Sequence, residues 1–435
     1  MFGYYLRLAT MALKRNIVLT VLMVTAIGIG IGASMTTLTV FYAMSGNPLA
    51  HKGDVLYVPQ LDNWAPDAPW DEPNVPPDLF TYRDAMALRQ AHQAKRELVM
   101  MTGVFPLQPE DPKVAPFEVS ARMTTGDFFP MFEPPFLHGG GWDRVQDDAN
   151  ARVVVLSKAT NQKLFGGENS VGRSVRIANE PFTVVGVLEY WHPQPRAYDV
   201  TAGAYIPPED IYIPFAYGPE HELQSSQNNS CWKDSGTDYR GWLESECVWL
   251  NVWVELESAA DRDRYKAFLD SYVLEQKKLG RFPRALNNRL GNIREWLDSQ
   301  GVVRDDTRIQ MALSFSFLGV CLINTIGLLL AKFMGRAGEI GLRRALGASR
   351  KAIFAQYLTE AGIIGLCGGL LGLLLTFGGL AGMRSIDSAL EHLAHLDPVM
   401  VFSAVALAVG SALLAGVLPT WRACLVAPAT QLKSQ

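Results

Sequence analysis

Four long apolar runs, Ile17 to about Ala43, Met311 to about Phe333, Ile353 to about Ala381 and Val399 to about Val417, leave this chain few folds to choose from. Each can cross a hydrocarbon layer of about 30 Å as a helix. In that form a backbone satisfies its own N–H and C=O groups without water. Residues 46–305, between the first run and the second, contain no such run and must fold in water. The chain reads as a membrane protein with four transmembrane α-helices and one large domain inserted between helices 1 and 2.

Charge sets the expected sidedness. Arg7, Lys14, Arg15, Lys332, Arg336, Arg343, Arg344, Arg350, Lys351, Arg422 and Lys433 flank the runs on one side, against Glu339 and Glu360. From Ala43 to Asp306 there are 26 Lys and Arg and 38 Asp and Glu, a net charge of −12. Positive flanks stay in the cytoplasm, so both termini are expected there and residues 46–305 outside. The first run, too long for a removable leader, is expected to remain as a signal anchor. Its Gly28 and Gly32 have the spacing that admits another helix closely, and Phe2 to Leu13 reads as an interfacial helix before it. Cys231 and Cys247 are the two cysteines of the outer segment. In an oxidising compartment they are expected to pair, worth roughly 3 kcal/mol by loop closure; two free thiols are the alternative.

The outer segment reads as α+β. Its Pro- and Trp-rich opening, Pro59 to Pro77, cannot be regular helix. Asp78 is placed to cap a helix from Leu79 to about Glu97. Strands are expected over Leu98 to Leu107, Pro116 to Met123, Arg152 to Leu156, Ser174 to Ile177, Phe182 to Leu188 and Val248 to Leu256. Helices are expected over Lys158 to Leu164 and Ala259 to Leu279, and Tyr190 to Glu246 as irregular. Asn292 to Arg308 is expected to run on helically into the second span as a stalk.

Chemistry-bearing patterns are scarce. Gly167 to Ser174, GENSVGRS, has Arg173 where a phosphate-binding loop requires Lys, and a strand follows where a helix is needed. It reads as a turn. His392 and His395 have helical spacing but no third ligand, so no metal site is expected. Neither a nucleophile elbow, an HExxH helix nor a CxxC pair is present, which argues against an enzyme. Trp232, Trp242, Trp249 and Trp253 are read as core. That leaves Gly335 to Lys351, GRAGEIGLRRALGASRK, between the second and third runs. Glu339 and Arg343 stand four apart, as a helical ion pair would; Gly347 can end that helix and Ser349 begin the next. The residues fit a short basic helix on the inner membrane face, or a basic loop that fixes topology and binds anionic membrane lipids.

At these residues the chain resembles the FtsX/MacB-like permeases of ABC transporters, the type VII superfamily. Glu339, Ile340, Gly341, Arg343, Ala345, Gly347 and Ala348 supply the pattern that follows the second span in that family. Glu360 with Gly362, Gly365, Gly368, Gly369 and Gly372 is similar to its third span. Outside, Ala151 to Ser157, Leu164 to Gly166, Val171-Gly172 and Phe182 to Val187 are similar to its MacB-type periplasmic core domain.

The resemblance implies an anchor over residues 1–45, a periplasmic core domain over 46–305 and an FtsX-like domain over 306–435. The core domain would divide into a porter part, about 46–130 and 248–305, and a sabre-like part, about 131–247. Spans are expected at about 309–334, 353–381 and 399–418, with a coupling segment at 335–351. In it Glu339, Ile340, Gly341, Arg343, Arg344, Ala345, Gly347 and Ala348 would grip the motor. Gly365 and Gly369 would pack the third span closely. The function implied is that of a non-catalytic permease in a bacterial inner membrane, without a cofactor of its own or nucleic-acid partner. It would pair with a second permease, identical or related, and ATP and Mg would bind a separate ABC ATPase. Efflux through a periplasmic adaptor and outer-membrane channel is the expected role. Lipoprotein release or control of cell-wall hydrolases is the alternative, and a membrane-anchored ligand sensor is the alternative from another class. The Pro- and Trp-rich opening and His221 to Cys247 match no pattern that would name a substrate or adaptor.

Overall fold

The computed structural model describes residues 2–44, 46, 49–109, 115–302, 305–386 and 398–424. They form two units, Met1–Ser45 with Val303–Gln435, and Gly46–Val302. The chain opens with α1 (Phe2–Arg15) and α2 (Ile17–Met44). The middle unit runs β1 (Leu56–Gln60), α3 (Tyr82–Ala91), β2 (Arg96–Gln108), β3 (Phe117–Thr124), α4 (Phe128–Phe132), β4 (Phe136–Gly139), α5 (Arg144–Asp148), β5 (Val153–Leu156) and α6 (Lys158–Phe165). It continues with β6 (Ser174–Ile177), β7 (Glu180–Leu188), β8 (Ile211–Pro214), α7 (Tyr217–Glu220), α8 (Tyr239–Glu244), β9 (Asn251–Glu255), α9 (Ala259–Lys278), β10 (Arg289–Asn292) and α10 (Ile293–Ser299). Then come α11 (Asp305–Met334), α12 (Ala337–Ala345), α13 (Arg350–Ile386) and α14 (Pro398–Cys424).

In the helical unit, α2, α11, α13 and α14 are each long and apolar enough to cross a membrane. Small residues let them approach. A Cβ added at Gly28 would lie 2.9 Å from Leu371, and one at Gly32 2.8 Å from Leu375, so α2 sits close on α13. On another side of α13, Gly365 and Gly369 face Ala412 and Ala408 of α14, where added Cβ atoms would be 2.5 and 2.8 Å away. Lipid tails give helices no hydrophobic reason to associate, so such close packing is what holds them. α11 lies on α2, with Leu318 and Cys321 beside Gly30 and the Ser34 hydroxyl donating to the Ser314 carbonyl at 3.0 Å.

The middle unit is built on one ten-stranded sheet in the order β10-β1-β9-β2-β3-β8-β5-β7-β4, with β6 paired to β2 and β7. Alternating apolar residues put one set on each face. Residues 131–247 supply β4 to β8, so the two expected parts of this domain are the two halves of a single sheet. They also share its cores. One layer combines Tyr57, Val99 and Trp249 with Val154, Phe182 and Ile213, and the other Val58, Met100 and Trp253 with Val155, Leu188 and Tyr212. Beneath β3, the fully buried Arg122 reaches Asp199 at 2.6 Å and also Glu209, which takes Arg196 at 2.9 Å. Burial opposes the charge of Arg122, but Glu209 and Asp199 outweigh it and hold its pKa above the usual arginine value. Cys231 and Cys247 form a disulfide.

Several local expectations need correction. Thr81, not Asp78, caps α3: its hydroxyl accepts from the Asp84 N–H, while Asp78 accepts from Gln60 at 3.1 Å. That helix stops at Ala91 because His92 turns left-handed at φ +50°, and Glu97 belongs to β2. Tyr190 to Glu246 is not wholly irregular, since it holds β8, α7 and α8. No unbroken stalk runs from Asn292 to Arg308, because α10 ends at Ser299 and Gly301 has φ +58°.

Candidate functional site

The segment between the second and third spans folds as α12, followed by a turn at Gly347 and the Ser349 cap of α13. Gly347 has φ +99°, a conformation that strains any residue with a side chain, and the Ser349 hydroxyl accepts the Ala352 N–H at 3.2 Å. Ile340 and Gly341 turn inward, Ile340 being 2% exposed, and Ala348 packs on the same core. Arg343 pairs with Glu339 at 2.9 Å and donates to Gln356 of α13 at 3.0 Å. Arg344 donates to the Cys424 carbonyl at the end of α14 at 3.2 Å. Arg336 donates to the Ala12 carbonyl of α1 at 3.0 Å, and Arg15 approaches Glu339 to 3.7 Å. The basic residues thus tie α12 to three neighbouring helices.

Beside the exposed Glu339, what α12 offers outward is an apolar ridge. Leu342 is 56% exposed and its C-cap Leu346 81%, with Ala345 exposed between them. Two leucines four apart form a ridge along one side of the helix. Sequence reasoning weighted the arginines and passed over these leucines. An apolar i, i+4 pair in an otherwise polar segment was the available signal.

One turn before α12, Lys332 of α11 meets Glu360 of α13 at 2.6 Å, both side chains fully buried. Arg336 stands 3.7 Å from the same carboxylate, and the Lys332 ammonium lies 3.4 Å from the Thr20 hydroxyl of α2. The Phe333 and Tyr357 rings pack beside the pair at 4.4 Å. A charge in a membrane bundle is costly unless paired, so this contact fixes α11 against α13 at the place where α12 begins. Lys332 and Glu360 were both visible in the sequence; that they face one another was not.

Other candidates lie elsewhere. Gly167 to Ser174 is a turn that opens β6, with Gly167 at φ +86°. Trp242, Trp249 and Trp253 are buried in the domain core. Among the described residues no three His, Cys, Asp or Glu side chains are disposed to hold a metal; His392 and His395 lie outside the described residues. A polar pocket joins Glu97, Asp127 and Asp147 to Arg89, His92 and Arg144. Burial pushes the Glu97 carboxyl up to about 7, against the N–H groups of Ala94 and Gln93. Asp147 is pushed by burial to about 6, although it accepts from the Gly126 N–H and the Trp142 indole.

Residues 20–272 match the family model of the MacB-like periplasmic core domain, and residues 311–427 that of the FtsX-like permease C-terminal domain. The chain is 26% identical over 317 residues to the pyoverdine export ATP-binding/permease protein PvdT of Pseudomonas entomophila, covering 71% of this chain and 42% of that protein. It is 25% identical over 362 residues to the macrolide export ATP-binding/permease protein MacB of Pasteurella multocida, covering 82% and 48%. It therefore spans about half the length of these two relatives. With the uncharacterized ABC transporter permease YvrN of Bacillus subtilis it shares 25% identity over 310 residues, covering 71% and 68%. Among solved structures, the periplasmic region of MacB from Actinobacillus actinomycetemcomitans aligns with 57% of this chain and 94% of its own, at 14% identity and a TM-score of 0.35.

Proposed function

Since the chain belongs to the family of ABC transporter permeases that join a MacB-like periplasmic core domain to an FtsX-like C-terminal domain, we propose that it passes ATP-driven motion from a separate cytoplasmic ATPase to the domain between its first and second spans. The work done there is the export of a periplasmic substrate, handed to an adaptor and an outer-membrane channel. Both termini and α12 lie in the cytoplasm in this reading, and residues 46–302 in the periplasm. ATP and Mg bind the ATPase, not this chain.

The observation that carries the proposal is the build of α12. Its polar residues hold it to α1, α13 and α14, and Leu342 and Leu346 are left projecting. A helix fixed on its inner side, with an apolar ridge on its outer side, is suited to sit in a cleft of another protein. The buried Lys332–Glu360 pair gives its displacement a stiff path into α11 and α13.

Copurification of the full chain with its ATPase tests this directly. Leu342→Asp with Leu346→Asp is expected to weaken the complex by at least about tenfold while the chain remains folded in the membrane. Charge reversal at Arg343 and Arg344 is expected to act as well, but by loosening α12 from α13 and α14. An unaltered complex and unaltered ATPase rate in the double leucine variant would remove α12 as the docking element.

A further inference from the structure

A cavity of about 220 Å³ opens beside the core layer of Val58, Met100 and Trp253, between Leu49 and the segment that leaves β7. Its floor is rigid. Phe132 and Tyr198 are each 1% exposed, with their rings 5.6 Å apart. The Tyr198 hydroxyl donates to Glu209 at 3.1 Å, and the Arg122 and Arg196 guanidinium groups lie 5.2 and 5.4 Å from its ring. The wall is Tyr190 to Pro193. There the Trp191 indole lies nearly parallel to the Tyr198 ring, at 5.5 Å and 10°, and edge-on to Phe128 at 5.9 Å, while His192 stacks on Tyr190 at 6.3 Å. Glu189 pins the start of this segment: its N–H donates to the Pro135 carbonyl at 2.8 Å, and its carboxylate accepts the Tyr190 N–H at 2.8 Å and pairs with Lys158.

The lining narrows the occupant. Among the described residues no Asp, Glu, Lys or Arg lines the cavity, so a charged group would lose its water there and find no counter-ion. Phe132, Tyr190, Trp191 and Tyr198 present aromatic rings, which pair with another ring in offset and edge-on arrangements and gain more than burial alone. Volume sets the size. An apolar cavity of about 150 Å³ already takes up benzene, and sites for drug-sized molecules begin at about 300 Å³. Interiors leave few voids larger than a water molecule, and a void among aromatic side chains forfeits contacts on every side. The braced floor and wall keep this one from collapsing.

We propose that the cavity is a binding site for a small uncharged aromatic compound, one substituted ring or two fused rings, held between Trp191 and the floor of Phe132 and Tyr198. The site stands on its own geometry. Its role rests on the permease reading and deepens it, since such a compound is then the class of substrate taken up by the domain between the first and second spans.

The test titrates the full-length chain in lipid nanodiscs with naphthol, a neutral two-ring probe, and subtracts the heat taken up by empty nanodiscs. One naphthol per chain is expected to bind, with naphthalene sulfonate and the saturated decahydronaphthol each at least about tenfold weaker. Trp191→Leu, which keeps an apolar side chain against Tyr198, is expected to weaken binding about tenfold. Tyr190→Ala, at a position 62% exposed where folding is not at stake, is expected to weaken it less. No binding above that of empty nanodiscs, equal affinity for the sulfonate or the saturated alcohol, or unchanged affinity in both variants would overturn the site. Naphthol is also expected to raise ATP turnover by the chain with its copurified ATPase, and not that of Trp191→Leu at the same concentration. Binding without any change in turnover would overturn the substrate assignment. A chain that binds naphthol through Trp191 and copurifies no ATPase supports the site and counts against the permease reading instead.

Discussion

Glu97 shows how much a single side chain can hide. In the sequence it is one of many carboxylates; in the fold it lies at the start of β2 beside Asp127 and Asp147, sheltered by Arg89, His92 and Arg144. Burial raises its pKa from 4.5 to about 7. The folded state therefore binds more protons than the unfolded one between these values, and stability must fall as pH rises through that window. The full chain is expected to be more stable at pH 5 than at pH 8, by about 2 kcal/mol from Glu97 after allowance for solvent screening, and to show a higher thermal midpoint at pH 5. Glu97→Gln is expected to flatten this part of the profile, and a pH dependence identical to that of the parent would contradict the assignment. Nothing in the sequence marked this residue, because its environment comes from α3, α5 and the 125–127 turn, which meet only after folding. The residues of α12 that match the family pattern were legible because that pattern is contiguous. Leu342 and Leu346 were not, since exposure is a property of the packed helix.

Among elements, the strands read from the sequence were those in runs rich in Val and Ile, such as β5 and β7. β8 and β10 are four residues each. β5 and β6 are as short and were legible, but β10, RLGN, has no β-branched residue and β8, IYIP, ends in a proline, so both are strands because neighbours pair with them. Helix ends turned on caps that the sequence made ambiguous, as when Thr81 displaced Asp78 at α3. The spans were plain from composition, but their mutual packing depended on which glycines face a neighbour. Gly365 faces Ala412 and Gly378 faces open space, with nothing within 4 Å. Gly365→Val is expected to push α13 from α14 and lower stability in detergent by about 1–3 kcal/mol. Gly378→Val should leave the unfolding midpoint nearly unchanged, and equal losses at both positions would show that helix propensity, not packing, decides.

For the molecule as a whole, the four-helix and inserted-domain plan was readable from hydropathy alone. The order of strands was not, because β9, more than 100 residues beyond β2 in the chain, lies directly beside it. Since both chain segments of the domain contribute to both apolar layers, residues 46–302 are expected to unfold in one transition when produced alone in an oxidising compartment. Two separated transitions by calorimetry would mean that the halves fold independently.

The pairing of β1 with β10 bears on how such a domain could be moved. β1 leads on from α2, and β10 leads through α10 to α11, and the two strands run antiparallel with Tyr57 opposite Asn292. Both tethers thus leave the same end of one strand pair. Displacing the two tethers together carries the sheet as a rigid piece and puts no load between its strands. Displacing one relative to the other tries to slide β1 along β10, and the paired backbone hydrogen bonds from Tyr57 to Gln60 resist as a set. Such a joint would pass on common motion and oppose differential motion.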